Sequence, residues 1–462
     1  MNQLTHAPAH ALAAAIRNKS VSATEVVQAH IDQINQVNPA INALVQATFD
    51  RVLIQAGDAD KAIAKGEKVG PLHGVPFTVK DNIETEGVVC ACGTPGLSKN
   101  VPAEDAIVVS RIRAAGGILL GKTNLPELGM GYETDNLLYG RTNNPYDLTR
   151  TSGGSSGGEA ALIAAGGSPL GLATDGGGSA RWPAHCCGIA GIKPTTGRTA
   201  KTGHVPPPGG FINPFWQMSL MARSAADLTL ALPLICGPDP RDPSSIPVPF
   251  PQLNNVDLAS LRIAVFTDNG IIAPTSDISK MVTQCADSLA QAGATVQNIC
   301  PPMIGEAHEI YVHLLSADGG VGLGELLNSW GTNELHRNTQ KAQAAQSQHQ
   351  LTAGEFGGWL YRLDQYRQQM SVFMAGFDAL ICPVAPTPAV MHGDTMPDPA
   401  YAGFDPMFSY LVPFNLTGWP CGTVRAGSSK KGLPLGIQVA ANPWREDIVL
   451  AILEYFDATE GG

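Results

Sequence analysis

Residues 151–184 read TSGGSSGGEAALIAAGGSPLGLATDGGGSARWPA, a composition foreign to an ordinary helix-and-strand core. Gly153, Gly154, Gly157 and Gly158 flank Ser155 and Ser156, and Gly176, Gly177 and Gly178 precede Ser179. These serines therefore sit in backbone that can take up conformations barred to other residues. A run of glycines before a serine lets successive backbone N–H groups point into one small volume, the arrangement that holds the oxyanion of acyl transfer. The same composition also builds plain turns, where Gly and Ser cluster for geometric reasons alone. Both readings are open on composition.

Around this segment the chain alternates strand and helix. Residues 22–65 carry apolar positions at helical spacing and predict two helices. Strands are predicted over 74–79, 118–120, 170–174, 189–192, 261–266, 379–382 and 435–439. Helices are predicted over 105–115, 159–165, 225–235, 276–291, 341–377 and 446–456. Residues 144–152 (NPYDLTRTS) read as a loop, and the Pro-rich stretch 236–253 reads as an extended connector. Alternation of this kind implies an α/β sheet between helices. No internal repeat is found.

Composition removes several classes of function. The 462 residues carry 29 Lys and Arg against 40 Asp and Glu, a net charge of −11, with no dense basic run, so nucleic acid is not expected as a direct partner. The start MNQLTHAPAHALAAAIRNKS lacks a basic n-region and apolar h-region, and no apolar run reaches about 18 residues. A soluble, cytoplasmic protein without membrane attachment is expected. Nine cysteines are too sparse for a disulfide scaffold, and Cys90, Cys92, Cys186 and Cys187 lack the partners of a zinc site. Neither metal nor cofactor is expected.

Short motifs compete for the chemistry. Gly153, Ser155 and Gly157 fit the GxSxG nucleophile elbow, but an elbow serine follows a buried strand and needs a later histidine, and His308, His313, His336, His349 and His392 lie in undistinguished surroundings. Residues 116–123 (GGILLGKT) fit the Walker A string without its strand-then-helix context. His308, Glu309 and His313 form HExxxH, one residue too long for two zinc ligands on a helical face. Gly320, Gly322 and Gly324 mimic a dinucleotide loop without its strand. With no convincing histidine base, Lys80 becomes a candidate: it ends the apolar run GVPFTVK, where burial would disfavour its ammonium form. A lysine capping a strand at the surface fits the same residues.

The strings GVPFTVKDN, GKTNLPELG, NNPYDLTRTSGGSSGGEAALIAAG, GLATDGGGSARWPAHCCGIAGIKPTTGR, MARSAADLTLAL and LPLGIQVAA stand in the order found in the amidase signature family, which the sequence resembles most strongly over residues 70–235. The resemblance implies one amidase domain over 1–462: a helical N-terminal part (1–68), a signature core (70–235) and a C-terminal part (255–462) completing sheet and pocket. The implied fold is a single large α/β domain, a mixed twisted sheet covered on both faces by helices. It also implies a Ser, cis-Ser, Lys triad, with Ser179 the nucleophile, Ser155 the bridging serine after a cis Gly154 peptide, and Lys80 the base.

In that scheme the N–H groups of Gly176, Gly177, Gly178 and Ser179 form an oxyanion hole, Asp175 and Arg181 brace the loop, and Ser156 supports the relay. Ala180 stands where the family frequently has a larger residue, and Trp182 adds bulk, which leaves pocket shape open. The apolar stretch 206–218 makes Met130, Phe211, Phe215 and Trp216 candidate pocket walls. The expected activity is serine amidohydrolysis of a hydrophobic or aromatic amide, anilide or carbamate, by a monomer or homodimer acting on a small molecule. The alternatives are an amidotransferase A-type glutaminase subunit with partner chains, or an α/β-hydrolase esterase using Ser155.

Overall fold

The computed structural model describes residues 3–210, 212–253, 256–395 and 405–460. Among the described residues thirteen strands form in chain order: β1 (Leu44–Ala47), β2 (Pro76–Lys80), β3 (Ile118–Thr123), β4 (Asn143–Asn144), β5 (Asp147–Thr151), β6 (Leu170–Asp175), β7 (Ala190–Lys193), β8 (Gln217–Ala222), β9 (Arg262–Val265), β10 (Thr295–Asn298), β11 (Ala379–Pro383), β12 (Cys421–Ser428) and β13 (Pro434–Ala441). Eleven of them build one sheet in the order β1-β3-β2-β6-β8-β7-β12-β13-β11-β9-β10. β2 runs parallel to β3 and β6, whereas β8 is antiparallel to β6 and β7, so the sheet is mixed, as expected. Strands from both halves of the chain join across the β7–β12 pair, giving a single domain.

The central strands β2, β3, β6, β7, β8 and β13 are buried along their whole length. Helices Ala225–Ile235 and Glu446–Glu460 pack on one another and on the sheet, and the apolar residues between them form the main core. A second core lies beneath helices Glu306–Leu315 and Ala353–Met374. All nine cysteines are free thiols, seven of them buried.

Two local expectations change. Residues 144–152 are not simply a loop: β5 pairs antiparallel with β4 as a short hairpin, because its polar residues satisfy an edge ladder without a buried face. The stretch 341–377 is two helices, Arg337–Ser347 and Ala353–Met374, the second opened by a Thr352/Glu355 capping box. Residues 118–123 of the Walker-like string are strand β3, with Lys122 fully buried and donating to the Ile83 carbonyl at 2.5 Å. That lysine is committed to the core and unavailable to a phosphate. Among the described residues, no helix is long and apolar enough to cross a membrane.

Candidate active site

Parallel strands β2 and β6 lie side by side, and β6 runs directly into the second Gly/Ser loop. β2 terminates at Lys80, β6 at Asp175, so the sheet delivers the lysine and the second glycine loop to the same edge. The first loop, after β5, carries a cis peptide between Gly154 and Ser155. It is tied to the second by Ser156, whose N–H donates to the Ser179 carbonyl at 3.1 Å and whose hydroxyl donates to the Thr174 carbonyl at 3.3 Å. Ser156 thus holds two backbones together, and among the described residues it makes no hydrogen bond to the Ser155 or Ser179 hydroxyl.

Lys80 is completely buried, with Nζ 2.6 Å from Ser155 Oγ and 2.8 Å from Thr174 Oγ1. Burial pulls its pKa from the usual lysine range to about 7, against the opposing pull of Cys92, Asp175 and Glu159. A neutral amine has two N–H donors and one lone pair, so a bond donated to Thr174 leaves the lone pair free to accept from Ser155. Among the described residues no hydrogen bond joins the Ser155 and Ser179 hydroxyls, although both line the same cavity. Such contacts commonly tighten only when substrate is bound.

The glycine loop is pinned from outside. Gly178 N–H donates to Asp175 Oδ1 at 2.8 Å and Ala180 N–H to Oδ2 at 3.2 Å. The Gly178 amide therefore differs from the four-donor expectation, and the N–H groups of Gly176, Gly177 and Ser179 remain without a partner among the described residues. Tyr311 donates to the Gly176 carbonyl at 2.9 Å, and in a planar trans peptide this turns the Gly177 N–H the opposite way. A Cβ at Gly177 would lie 2.3 Å from the Tyr311 hydroxyl, so any side chain there would displace the phenol from the Gly176 carbonyl. Gly178 has φ +106° and a Cβ there would meet the Leu411 side chain at 2.3 Å.

Asp175 and Arg181 form a fully buried pair. Arg181 Nε donates to Asp175 Oδ2 at 3.0 Å and Nη2 to Oδ1 at 2.9 Å, while Leu411, Gln438 and Asn415 take its other donors. Although burial disfavours both charges, the Arg181 guanidinium holds the Asp175 carboxyl well below the usual carboxylate range.

The cavity over the serines has a volume of about 450 Å³. Met130, Phe215 and Trp216 line it, whereas Phe211 lies outside the described residues. Ala180 and Trp182 do not reach it; Trp182 is buried with its indole N–H on the Tyr132 carbonyl at 3.0 Å. The only charged side chain among the described lining residues is Asp318.

Several residues here escaped the sequence reading. Thr174 is the penultimate residue of β6, a strand whose position was clear although the Thr174 hydroxyl was not singled out, and Asn82 lies two places beyond Lys80. Asn82 Nδ2 bridges Thr174 Oγ1 at 3.3 Å and His204 Nε2 at 3.0 Å. His204 faces the cavity, but both ring nitrogens are engaged, Nδ1 with the Pro206 carbonyl at 2.8 Å, and burial pushes its pKa down to about 3. It stays neutral and offers no base. The histidine-dependent elbow finds no support: Ser155 Oγ bonds to Lys80. His308 and His313 both lie on helix Glu306–Leu315, and among the described residues no cluster of three metal-ligating side chains forms.

The fold and this arrangement define an enzyme of the class that acts on carbon–nitrogen bonds. A family model described as Amidase matches residues 25–450, and the chain belongs to that family. It is 32% identical over 465 aligned positions to the A subunit of glutamyl-tRNA(Gln) amidotransferase from Thermosynechococcus vestitus, covering 96% of this chain and 95% of that one. A solved structure of 6-aminohexanoate cyclic dimer hydrolase complexed with substrate superposes with a TM-score of 0.87 at 28% identity, over 98% of this chain and 97% of the other. A bacterial aryl acylamidase shares the fold, with a TM-score of 0.85 at 24% identity over 99% and 96% of the two chains.

Proposed function

We propose that the protein is a serine amidohydrolase that cleaves the C–N bond of small amides, anilides or carbamates through an acyl-enzyme on Ser179. The observation that carries this reading is the buried Lys80 amine, 2.6 Å from Ser155 Oγ and with its pKa brought down to about 7. Neutral Lys80 accepts the Ser155 proton as Ser155 accepts that of Ser179, and Ser179 Oγ attacks the carbonyl. The developing oxyanion meets the free N–H groups of Gly176, Gly177 and Ser179. Collapse breaks the C–N bond while Ser155 returns a proton to the departing nitrogen, since an amine anion is too poor a leaving group. Water, deprotonated by the same relay, then releases the acid and restores Ser179.

Labelling with a fluorophosphonate followed by peptide mapping tests the assignment. The adduct is expected on Ser179 and absent in Ser179→Ala; an adduct on Ser155 would overturn it in favour of an elbow nucleophile. Tyr311→Phe removes the bond that orients the Gly177 N–H while leaving the donor itself. It is expected to lower kcat about tenfold, less than the 10²–10³-fold typical of losing an oxyanion donor outright. KM should move less than kcat, and an equal change in both would show that Tyr311 only shapes the pocket.

A second reading, a glutaminase subunit working with partner chains, is favoured by the similarity to amidotransferase A subunits. The cavity speaks against it, because no Lys or Arg among the described lining residues is placed to pair with the carboxylate of free glutamine. Turnover of an anilide by the isolated chain, with none of glutamine, would exclude it.

A further inference from the structure

One part of the cavity wall is unlike the rest. The segment around helices Val321–Ser329 and Arg337–Ser347 contributes Leu323 and Leu326, but also Asp318 and Gln346. Asp318 accepts the Gly320 N–H at Oδ1 and the Gly322 N–H at Oδ2, each at 2.9 Å. A carboxylate has about four acceptor positions, so these two bonds leave half of its capacity open. Among the described residues no Lys, Arg or His pairs with it.

Gln346 is 3% exposed and lines the same cavity, yet its side-chain amide makes no hydrogen bond among the described residues. Its Oε1 would lie 3.1 Å from a Cβ at Gly320, the residue whose N–H Asp318 holds, so the two side chains flank one short piece of backbone. The amide is not among the atoms sealed from solvent, so it faces the open cavity with its hydrogen-bonding capacity free for a bound group. The capping of the helix start explains two lone pairs of Asp318 and nothing about Gln346.

Building on the amide-hydrolase reading, we propose that Asp318 and Gln346 form a recognition subsite for a cationic amine at the end of the substrate remote from the scissile bond. Two oxygen acceptors, one charged, set in an apolar wall with no compensating cation, select an ammonium group over a methyl or a carboxylate. The substrate class is then an amide of an amino-terminated aliphatic chain, its methylenes lying along the apolar walls and its ammonium on Asp318.

Paired substrates test this with the full chain: 6-aminohexanoyl-4-nitroanilide against heptanoyl-4-nitroanilide, and N-(6-aminohexyl)acetamide against N-heptylacetamide. In at least one pair the amine-bearing member is expected to be favoured by about tenfold or more in kcat/KM. Asp318→Asn should bring that ratio towards one, and Gln346→Glu, which leaves the helix start alone, should raise it. Hexylamine against 1-hexanol as thermal-shift ligands reads the subsite without chemistry: the amine should raise Tm in the wild type and not in Asp318→Asn. No preference in either pair, or no advantage of hexylamine, overturns the subsite. Absence of all amide turnover and of fluorophosphonate labelling, with the hexylamine shift intact, overturns the hydrolase reading and leaves the subsite standing.

Discussion

Lys80→Met is expected to lower kcat/KM for an anilide by between about 10² and 10⁴-fold, the range that a positioned general base supplies. The pH profile identifies the cause. Only the neutral amine can take the Ser155 proton, so in the wild type log kcat/KM should rise with unit slope up to a pH of about 7 and level off above it, following the lowered Lys80 pKa. In Lys80→Met that limb should vanish along with the rate. Persistence of the limb in the variant, or a rate close to wild type, would remove Lys80 from the mechanism. Loss of folding is not expected to confuse the result. The folded pKa lies below the unfolded value of about 10.4, so between about 7 and 10 the unfolded chain binds the extra proton and stability rises with pH. Below about 7 the full desolvation penalty of Lys80 is present, and Lys80→Met abolishes it. Tm at pH 6 should therefore be equal or higher in the inactive variant.

That buried lysine shows how far the sequence could be followed. Strand β2 was legible because β-branched and aromatic residues crowd into six positions, and the glycine loops announced their unusual backbone. A hydrophobic run cannot say which strand becomes its neighbour, and the function of Lys80 depends on β2 lying beside β6, which places Thr174 Oγ1 2.8 Å from its amine. Strand β8 went unread although it is wholly buried in mid-sheet: QMSLMA follows directly on the aromatic NPFW and lacks β-branched residues. Tyr311 was beyond reach for another reason. It lies 135 positions from the Gly176 carbonyl it holds, inside HEIYVH, where a search for zinc ligands attends to the histidines and passes over the phenol. Local pattern marks the segments that must bend or be buried, and long-range pairing decides which chemical groups meet.

The second large effect concerns stability. Arg181→Met is expected to destabilise the fold by about 3–5 kcal/mol at neutral pH, the usual consequence of leaving a buried charge without its partner. In the wild type the folded pKa of Asp175 is depressed, so the pair's contribution is present above the unfolded value of about 3.9 and is lost only as pH falls through the folded one. The bond network sharpens the effect, because Arg181 also serves the Leu411 carbonyl, Gln438 and Asn415, all of which lose a donor together. With a thioether in place of guanidinium, desolvation dominates at Asp175 and its folded pKa moves above the unfolded value. The native state then binds the extra proton, and stability falls as pH rises across the mildly acidic range, the reverse of the wild-type slope. Denaturant midpoints at pH 5 and pH 8 decide the matter: the variant should be relatively more stable at pH 5. A variant with the wild-type slope would mean that the bonds donated by Gly178, Ala180 and Asn415 keep Asp175 ionised without Arg181.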